Sequence, residues 1–411
     1  MTETWSIAAL WMGLALIAVL MSIWLRIATA LSEIVIGIAA QLVIGAFIGT
    51  DALGADQSWI KFLSGAGAIA LTFLAGAELD PDVFKLKWKE ATAIGLVGFF
   101  APFFGCAAAA YYFLHWNTQA SWLAGVALST TSVAVVYAVM LEFGLNKTSY
   151  GKVILAACFI NDLGTVLALG FIFSPFTFKT LIFFGATVAA IAVLPWLTPR
   201  FFKRYGGRPS ELEAKYLLLC LFGLGALAGW SGSEAVLPAY VIGMVLAGTV
   251  GKDHALIRRL RTLTLGLLTP FYFIRAGSFV SVPALISAPM IFVVLFLAKM
   301  ATKFVGVFPV TRLYKSPQRE AMYTTLLMST GLTFGSISAL FGLTHGIVDQ
   351  TQYSFLIATV IGSAVIPTLI ANAFFLPRHL LRQVSGQAKD MAVQEVVGTR
   401  VADSNLGSKQ S

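Results

Sequence analysis

Asn161 and Asp162 lie at the middle of a stretch from Val153 to Phe173 that is otherwise apolar and long enough to cross a bilayer. A carboxylate at that depth is costly, so it is a candidate functional residue. A carboxyl group in a partly dehydrated cavity can hold a proton or a small hard cation such as Na⁺ or K⁺, but hardly both, and this exclusion is itself a mechanism of exchange. Asn161 adds a neutral amide oxygen as ligand. The plainer interpretation is a structural ion pair between Asp162 and a buried base.

Two further stretches place hydroxyl groups at the middle of apolar helices, Thr130, Thr131 and Ser132 in one and Ser329 and Thr330 in the other. Such hydroxyls can bond back to carbonyls of their own helix, which is the plain interpretation. If both helices are instead broken there, freed carbonyls and half-helix dipoles point at the midplane. The first group would then lie close to Asp162, with the second group across the crossing.

Three bases lie deep within apolar stretches: Arg275, Lys299 and Lys303. Lys303 follows Lys299 by one helical turn, so the two share a helix face. Lys303 could be a counter-charge for Asp162, a charge at the helix crossing or a second titrating group. Arg275 could stabilise the crossing or pair with Glu78.

The composition indicates a polytopic membrane protein. Of the 411 residues, 58% are hydrophobic and only 11% are charged, more apolar surface than a soluble protein can bury. The net charge of +9 does not indicate nucleic acid, because the basic residues fall between apolar stretches. We find no nucleophile triad, histidine cluster, redox pair or metal-ligand pattern among the three cysteines. The sequence therefore predicts a protein that is not an enzyme and has no cofactor.

The apolar stretches predict an all-α fold of about thirteen membrane spans, each near the length that a bilayer requires. We expect one transmembrane domain over residues 1–378 and a short, disordered cytoplasmic tail over 379–411. The predicted spans are 5–25, 33–50, 59–79, 91–114, 121–144, 149–174, 180–198, 212–230, 234–250, 262–280, 283–309, 319–342 and 352–376.

The basic residues predict the orientation in the membrane. With the N-terminus outside, the loops that face inward carry basic groups such as those within 85–89, 200–208, 252–261 and 312–319, while the outward ends carry only Lys61 and Lys179. Positive charge collects on the cytoplasmic side of membrane proteins. We therefore expect an outside N-terminus and a cytoplasmic C-terminus.

The chain also repeats itself. The word SEIV at 32–35 returns as SEAV at 233–236, an offset of 201, and STTS at 129–132 matches MSTG at 328–331 near the same offset. The paired spans are seven apart, an odd number, so the two copies must be oppositely oriented. This predicts an inverted-topology repeat with two crossed, discontinuous helices: repeat one at about 5–174, a linker helix at about 180–198 and repeat two at about 212–378.

Four words resemble the monovalent cation:proton antiporter superfamily, nearest to its second branch with Kef-type and Nap-type members. They are LTFLAGAELDPDVF (71–84), ALSTTSVAVV (127–136), NDLGTVLALG (161–170) and PFYFIRAG (270–277). The resemblance implies a homodimer with a dimerisation domain and a core domain, and elevator-like alternating access. It also implies that Asp162 binds the ion and that Lys303 is the family's core lysine.

Two departures from the family pattern affect these expectations. An Asn before the aspartate, as at Asn161, is usual in electroneutral exchangers, whereas a core lysine, as at Lys303, marks the electrogenic branch. The number of protons exchanged per cation therefore stays open. The tail is shorter than the cytosolic nucleotide-binding domain of Kef-type systems. We therefore do not expect gating by nucleotides.

The leading hypothesis is secondary active exchange of Na⁺ or K⁺ for H⁺ across the inner (plasma) membrane of the cell, with Asp162 binding cation or proton. The alternative is a Na⁺-coupled transporter of organic anions on a related inverted-repeat fold, in which Arg275 and Lys303 would bind the substrate carboxylate. A non-transporting channel or receptor subunit is a third interpretation.

Overall fold

The computed structural model describes residues 2–25, 27–47, 49, 53–77, 81–145, 148–173, 177–207, 210–233 and 235–380. Some residues that the sequence analysis used lie outside these ranges, namely Glu78, Glu234 and the tail from 381 onward. Of the tail predicted to be disordered, His379 and Leu380 are described, and His379 Nε2 lies 2.8 Å from Glu320 Oε1.

Nearly all of the described chain is helical, because its long apolar stretches satisfy their backbone hydrogen bonds internally, as lipid requires. The first helices are α1 (Thr2–Leu25), α2 (Thr29–Phe47), α3 (Ser58–Ala77), α4 (Pro81–Tyr112), α5 (Thr118–Ser129), α6 (Val133–Glu142), α7 (Ser149–Phe173), α8 (Phe178–Tyr205) and α9 (Leu212–Ser231).

The second half continues in the same manner, with a five-residue π-helical segment at Thr264–Leu268 and another at Ala371–Phe375. Its helices are α10 (Val236–Leu246), α11 (His254–Leu263), α12 (Thr269–Ser278), α13 (Val282–Ser287), α14 (Pro289–Leu313), α15 (Gln318–Met328), α16 (Thr333–Thr344) and α17 (Gln350–Ile370).

Polar caps start helices α5 and α17. The side chain of Asn117 accepts a hydrogen bond from Ala120 N (2.8 Å) and opens α5. Asp349 and Gln352 form a reciprocal capping box at the start of α17. Such caps satisfy backbone donors that the first helical turn leaves free.

Ten helices within the described ranges are long and apolar enough to cross a membrane. The predicted spans at 121–144, 234–250 and 262–280 are not among them. The first is the broken pair α5 and α6, the second is the short α10, and the third divides into the end of α11, a π-helical segment and α12. The protein is thus a multi-pass membrane protein, and the number thirteen stays a prediction.

The helices pack as two bundles. One consists of α1–α3 and α8–α12, and the other of α4–α7 and α14–α17. Between them, α7 meets α10, where Tyr240 Oη donates to the carbonyl oxygen of Phe159 (2.9 Å). A second contact joins α17 to α12, where Tyr353 Oη donates to the carbonyl oxygen of Ala276 (2.5 Å).

Helices of the two predicted repeats pack directly against each other. Helix α2 crosses α12, and α3 crosses α10. Both crossings are close at glycines: Gly37 and Gly277 in the first pair, and Gly76 and Gly243 in the second. A Cβ atom on any of the four would overlap backbone of the facing helix. Each crossing joins one helix of the first half to one helix of the second, as a two-fold relation requires.

The helix boundaries keep the same offset. Helix α7 begins at residue 149 and α17 at 350, while α4 ends at 112 and α14 at 313, so both pairs differ by 201. The break between α5 and α6 at 130–132 corresponds to the break between α15 and α16 at 329–332. The prediction of two discontinuous helices at matching positions is confirmed.

The outer faces of several helices are strongly apolar. Trp24 on α1 is 87% exposed, Leu219 on α9 is 72% exposed and Val305 on α14 is 76% exposed. Large apolar side chains in such number would be unfavourable in water but are suited to the hydrocarbon of a bilayer.

Candidate ion-binding site

The two broken helices cross at their unwound segments and bond directly to each other. Ser132 N donates to the carbonyl oxygen of Thr330 (3.0 Å), and Thr131 Oγ1 donates to the carbonyl oxygen of Met328 (2.7 Å). These segments are fully buried. The crossing therefore holds polar backbone at the centre of the second bundle without exposing it to lipid.

The carbonyls freed at the end of α5 receive donors from neighbouring helices. Asn161 Nδ2 on α7 donates to Ser129 O (3.3 Å), and Lys299 Nζ on α14 donates to Thr130 O (3.4 Å). The carboxyl end of a helix carries partial negative charge, so an ammonium group is favourable there. The freed groups at the end of α5 are thus satisfied by protein.

Lys303 lies one turn along α14 and reaches the next residue of the same unwound segment. Its Nζ donates to Thr131 Oγ1 (3.0 Å), and its side chain is fully buried. No ion pair joins Lys303 and Asp162 in the part of the chain that the structure describes. The contact with Thr131 places the amino group of Lys303 at the crossing, and its three predicted roles stay predictions.

Asp162 and Asn161 supply the acceptor oxygens that remain free. Asp162 Oδ1 and Asn161 Oδ1 are both buried and accept no hydrogen bond from any described group. A buried acceptor without a partner costs about 1–3 kcal/mol, so a bound ion or proton would stabilise each of these oxygens. One carboxylate oxygen and one amide oxygen are ligands that Na⁺ or K⁺ accepts, and the carboxylate oxygen can bind a proton.

Close packing of α4 on α7 fixes these two residues. Gly95 on α4 and Gly164 on α7 leave no room for a side chain, whereas a Cβ atom at Gly98 would lie 3.6 Å from Asn161 Nδ2, at an ordinary contact distance. The stretch of α7 from Ala157 to Gly164, which contains Asp162, is therefore closely packed against α4. From the other bundle, Tyr240 bonds to the carbonyl of Phe159 in the same helix.

The hydroxyl groups of Thr130, Ser329 and Thr330 bond within their own helices. Their acceptors are Ala127 O (3.1 Å), Thr325 O (2.7 Å) and Leu327 O (2.8 Å), respectively. For these three side chains the plain interpretation is right. Their part in the crossing comes from the backbone, whereas Thr131 contributes its side chain.

The structure does not bring Arg275 into the crossing. Its Nε donates to Ala55 O (2.9 Å), and its guanidinium lies 3.6 Å from Asp56 Oδ1. The prediction that Arg275 stabilises the crossing is therefore wrong, and the proposed pair with Glu78 lies outside the described residues. Because Arg275 and Lys303 bind different groups, the organic-anion interpretation loses its pair of bases.

Asp162 is 1% exposed. A cavity of about 340 Å³ lies in the same bundle between α4, α7, α14 and α15, lined by polar groups of Glu90, Tyr150 and Glu320, but Asp162 does not line it. A second cavity, of about 260 Å³, lies between the bundles at Lys61 and Arg275, and it does not reach Asp162 either. The candidate site is therefore closed in this conformation.

Known proteins are similar to this chain over most of its length. A profile of the family described as "Sodium/hydrogen exchanger, transmembrane" matches residues 12–376. The probable Na⁺/H⁺ antiporter 3 of Methanocaldococcus jannaschii is 24% identical over 356 residues, which cover 82% of this chain and 89% of that protein.

Two further similarities are informative. The glutathione-regulated potassium-efflux system protein KefC of Shigella flexneri is 24% identical over 364 residues, covering 81% of this chain and 56% of that protein. Among solved structures, the sodium proton antiporter MjNhaP1 of Methanocaldococcus jannaschii at pH 8 matches with a TM-score of 0.67 at 15% identity, covering 90% of this chain and 97% of that one. At 15% identity, the match to this solved structure establishes the fold alone.

Proposed function

Since the chain belongs to the sodium/hydrogen exchanger family, we propose that it exchanges Na⁺ or K⁺ for protons, with the carboxyl group of Asp162 as the carrier. The observation that carries this proposal is the pair of buried, unpartnered oxygens on Asp162 and Asn161 beside the crossing of two broken helices. Relatives named for Na⁺/H⁺ antiport and for potassium efflux support both cations as candidates.

Exchange follows from the chemistry of a single carboxyl group. When Asp162 binds the cation, its oxygens are ligands and no proton is held there. When Asp162 takes a proton, its charge is neutralised and the cation loses its main attraction. Asn161 contributes an amide oxygen that does not change charge, so binding and release depend on Asp162 alone. The ammonium group of Lys303, held by Thr131, supplies a fixed positive charge nearby.

Alternating access is the step that converts this competition into transport. Because Asp162 is buried and lines neither of the two cavities, we propose that ions reach it after the bundles move relative to each other. We propose that the bundle with the crossing moves as a unit against the other bundle. The few hydrogen bonds between the bundles, such as that of Tyr240, would break and re-form in each cycle.

The finer assignments belong to the same proposal. We expect the protein in the inner (plasma) membrane as a homodimer, with the N-terminus outside and the C-terminus in the cytoplasm. The domain boundaries that we propose are repeat one at about 5–174, a linker helix at about 180–198 that falls within α8, and repeat two at about 212–378.

The test uses proteoliposomes with an inward-acid proton gradient that a pH-sensitive dye reports. Addition of NaCl, and then KCl, should collapse the gradient with the wild type but not with Asp162→Asn. Asp56→Asn is the matched control, because its carboxylate is 73% exposed and pairs with Lys61 and Arg275 away from the crossing. Collapse with Asp162→Asn, or loss of response with Asp56→Asn alone, would contradict the assignment.

A further inference from the structure

Lys299 is a buried cation that the exchange mechanism above does not use. Its Nζ donates to Ser363 Oγ on α17 (3.0 Å) and to Thr130 O at the end of α5 (3.4 Å). Its side chain is completely buried, and no carboxylate pairs with it among the described residues. The ammonium group thus bonds to one hydroxyl oxygen and one carbonyl oxygen, which are also ligands that a free monovalent cation accepts.

In the second repeat, Lys299 and Ser363 occupy the positions that match Gly98 and Asp162 in the first. Ser363 follows Asp162 by 201 residues, and Lys299 follows Gly98 by the same number, which is also the offset between the starts of α7 and α17. In repeat one, Gly98 leaves space next to Asn161. In repeat two, the matching position carries a lysine, and its ammonium group reaches the residue that matches Asp162.

Gly331 in the second unwound segment makes room for this ammonium group. A Cβ atom there would overlap Lys299 Nζ and would lie 2.8 Å from Thr130 Oγ1 and 3.3 Å from Ser363 Oγ. The backbone at Gly331 therefore borders the ammonium group of Lys299 directly.

We propose that repeat two forms a second monovalent-cation site, lined by Ser363, Thr130 and the backbone at Gly331, and that Lys299 fills this site permanently with its own ammonium group. The tethered cation holds α5, α14 and α17 together across the crossing. It also leaves Asp162 as the one site per chain for an exchangeable cation, so Lys299 is a positioning residue. This inference rests on the proposed function for its consequence in transport, but the site itself can be tested without transport.

The test is rescue of Lys299→Ala by n-propylammonium, which replaces the four atoms of the side chain beyond Cβ. Thermal unfolding of the purified protein provides a readout that does not depend on exchange. We expect the unfolding midpoint of Lys299→Ala to lie below that of the wild type and to rise with n-propylammonium in a saturable manner. Neutral 1-propanol should not raise it, and the wild type should not respond to either compound.

Lys299→Met supplies the matched control, because methionine fills the space of the lysine stem without its charge. This variant should fold, exchange Na⁺ tracer at least about tenfold more slowly than the wild type because a charged hydrogen bond is lost, and show no rescue. Wild-type exchange by Lys299→Met, or an equal response of Lys299→Ala and wild type to n-propylammonium, would overturn the proposal.

The same titration in the double variant Lys299→Ala with Asp162→Asn separates the two proposals. If the second site exists, n-propylammonium still raises the unfolding midpoint, although exchange is abolished at Asp162. If the response disappears together with Asp162, the compound binds at the exchange site and the second site is refuted. Absence of exchange in the wild type would contradict the proposed function but leave the thermal titration as a valid test of this site.

Discussion

Replacement of Thr131 by valine should remove the hydrogen bond between the helix crossing and the ammonium group of Lys303. The Thr131 hydroxyl accepts from Lys303 Nζ at 3.0 Å and donates to Met328 O at 2.7 Å, so it links α14 to both broken helices. Valine has nearly the same shape and opens no cavity. All of the effect should therefore come from the two hydrogen bonds.

The magnitude follows from the type of each bond. Loss of a hydrogen bond to a charged group costs about 1.5–3 kcal/mol, and a buried carbonyl left without a donor costs about 1–3 kcal/mol. The contributions overlap because one hydroxyl makes both, so we expect a loss of about 3 kcal/mol in the free energy of unfolding. The freed ammonium group of Lys303 should then turn toward Asp162 and compete with the cation, raising the cation concentration for half-maximal exchange about tenfold or more.

Thr130→Val and Thr131→Ser are the controls for this experiment. The Thr130 hydroxyl bonds only to Ala127 O in its own helix, so valine there should change unfolding and exchange much less. Thr131→Ser keeps the hydroxyl and should keep most of the activity. The assays are thermal unfolding of purified protein and tracer uptake at varied Na⁺ concentration. Equal behaviour of Thr131→Val and Thr130→Val in both assays would refute the reasoning.

Three further changes, the last with a control variant, test other contacts. Asn161→Ala removes an acceptor oxygen and the bond to Ser129 O, so the apparent affinity for the cation should fall more than the maximal rate, as a concentration series of tracer uptake would show. Tyr240→Phe removes the bond to Phe159 O between the bundles and should alter the exchange rate by up to about tenfold while lowering the unfolding midpoint only slightly. Gly243→Ala should destabilise the α3–α10 crossing by about 1–3 kcal/mol in thermal unfolding, because its methyl group meets backbone. Gly223→Ala, where the space is open, should be neutral or stabilising.

The sequence is sufficient to predict those parts of the site where burial of a polar group in an apolar stretch would be unfavourable without a function. A carboxylate in an apolar stretch needs a reason, and repeated polar words at matching offsets need a common structure, so Asp162 and the two broken helices could be predicted. The lipid-facing helices follow from hydropathy. The count of spans was less secure, since α10 is short and the predicted span at 262–280 is divided by a π-helical segment.

The partners of the buried bases could not be predicted, because they depend on the direction of side chains between distant helices. Lys303 binds Thr131, 172 residues away, rather than Asp162, and Arg275 binds the loop at Ala55 and Asp56, about 220 residues away. One signal was present for Lys299. Its offset of 201 from Gly98, together with that of Ser363 from Asp162, pointed to a filled counterpart of the ion site.

The central claim is that one carboxyl group binds cation and proton in competition. The most direct measurement adds saturating Na⁺ or K⁺ to purified protein in weakly buffered solution and follows the pH with an indicator. We expect wild-type protein to release protons as the cation binds, and Asp162→Asn, checked by thermal unfolding to be folded, to release none. Equal release from both proteins, or cation binding by the wild type without any proton release, would contradict the claim.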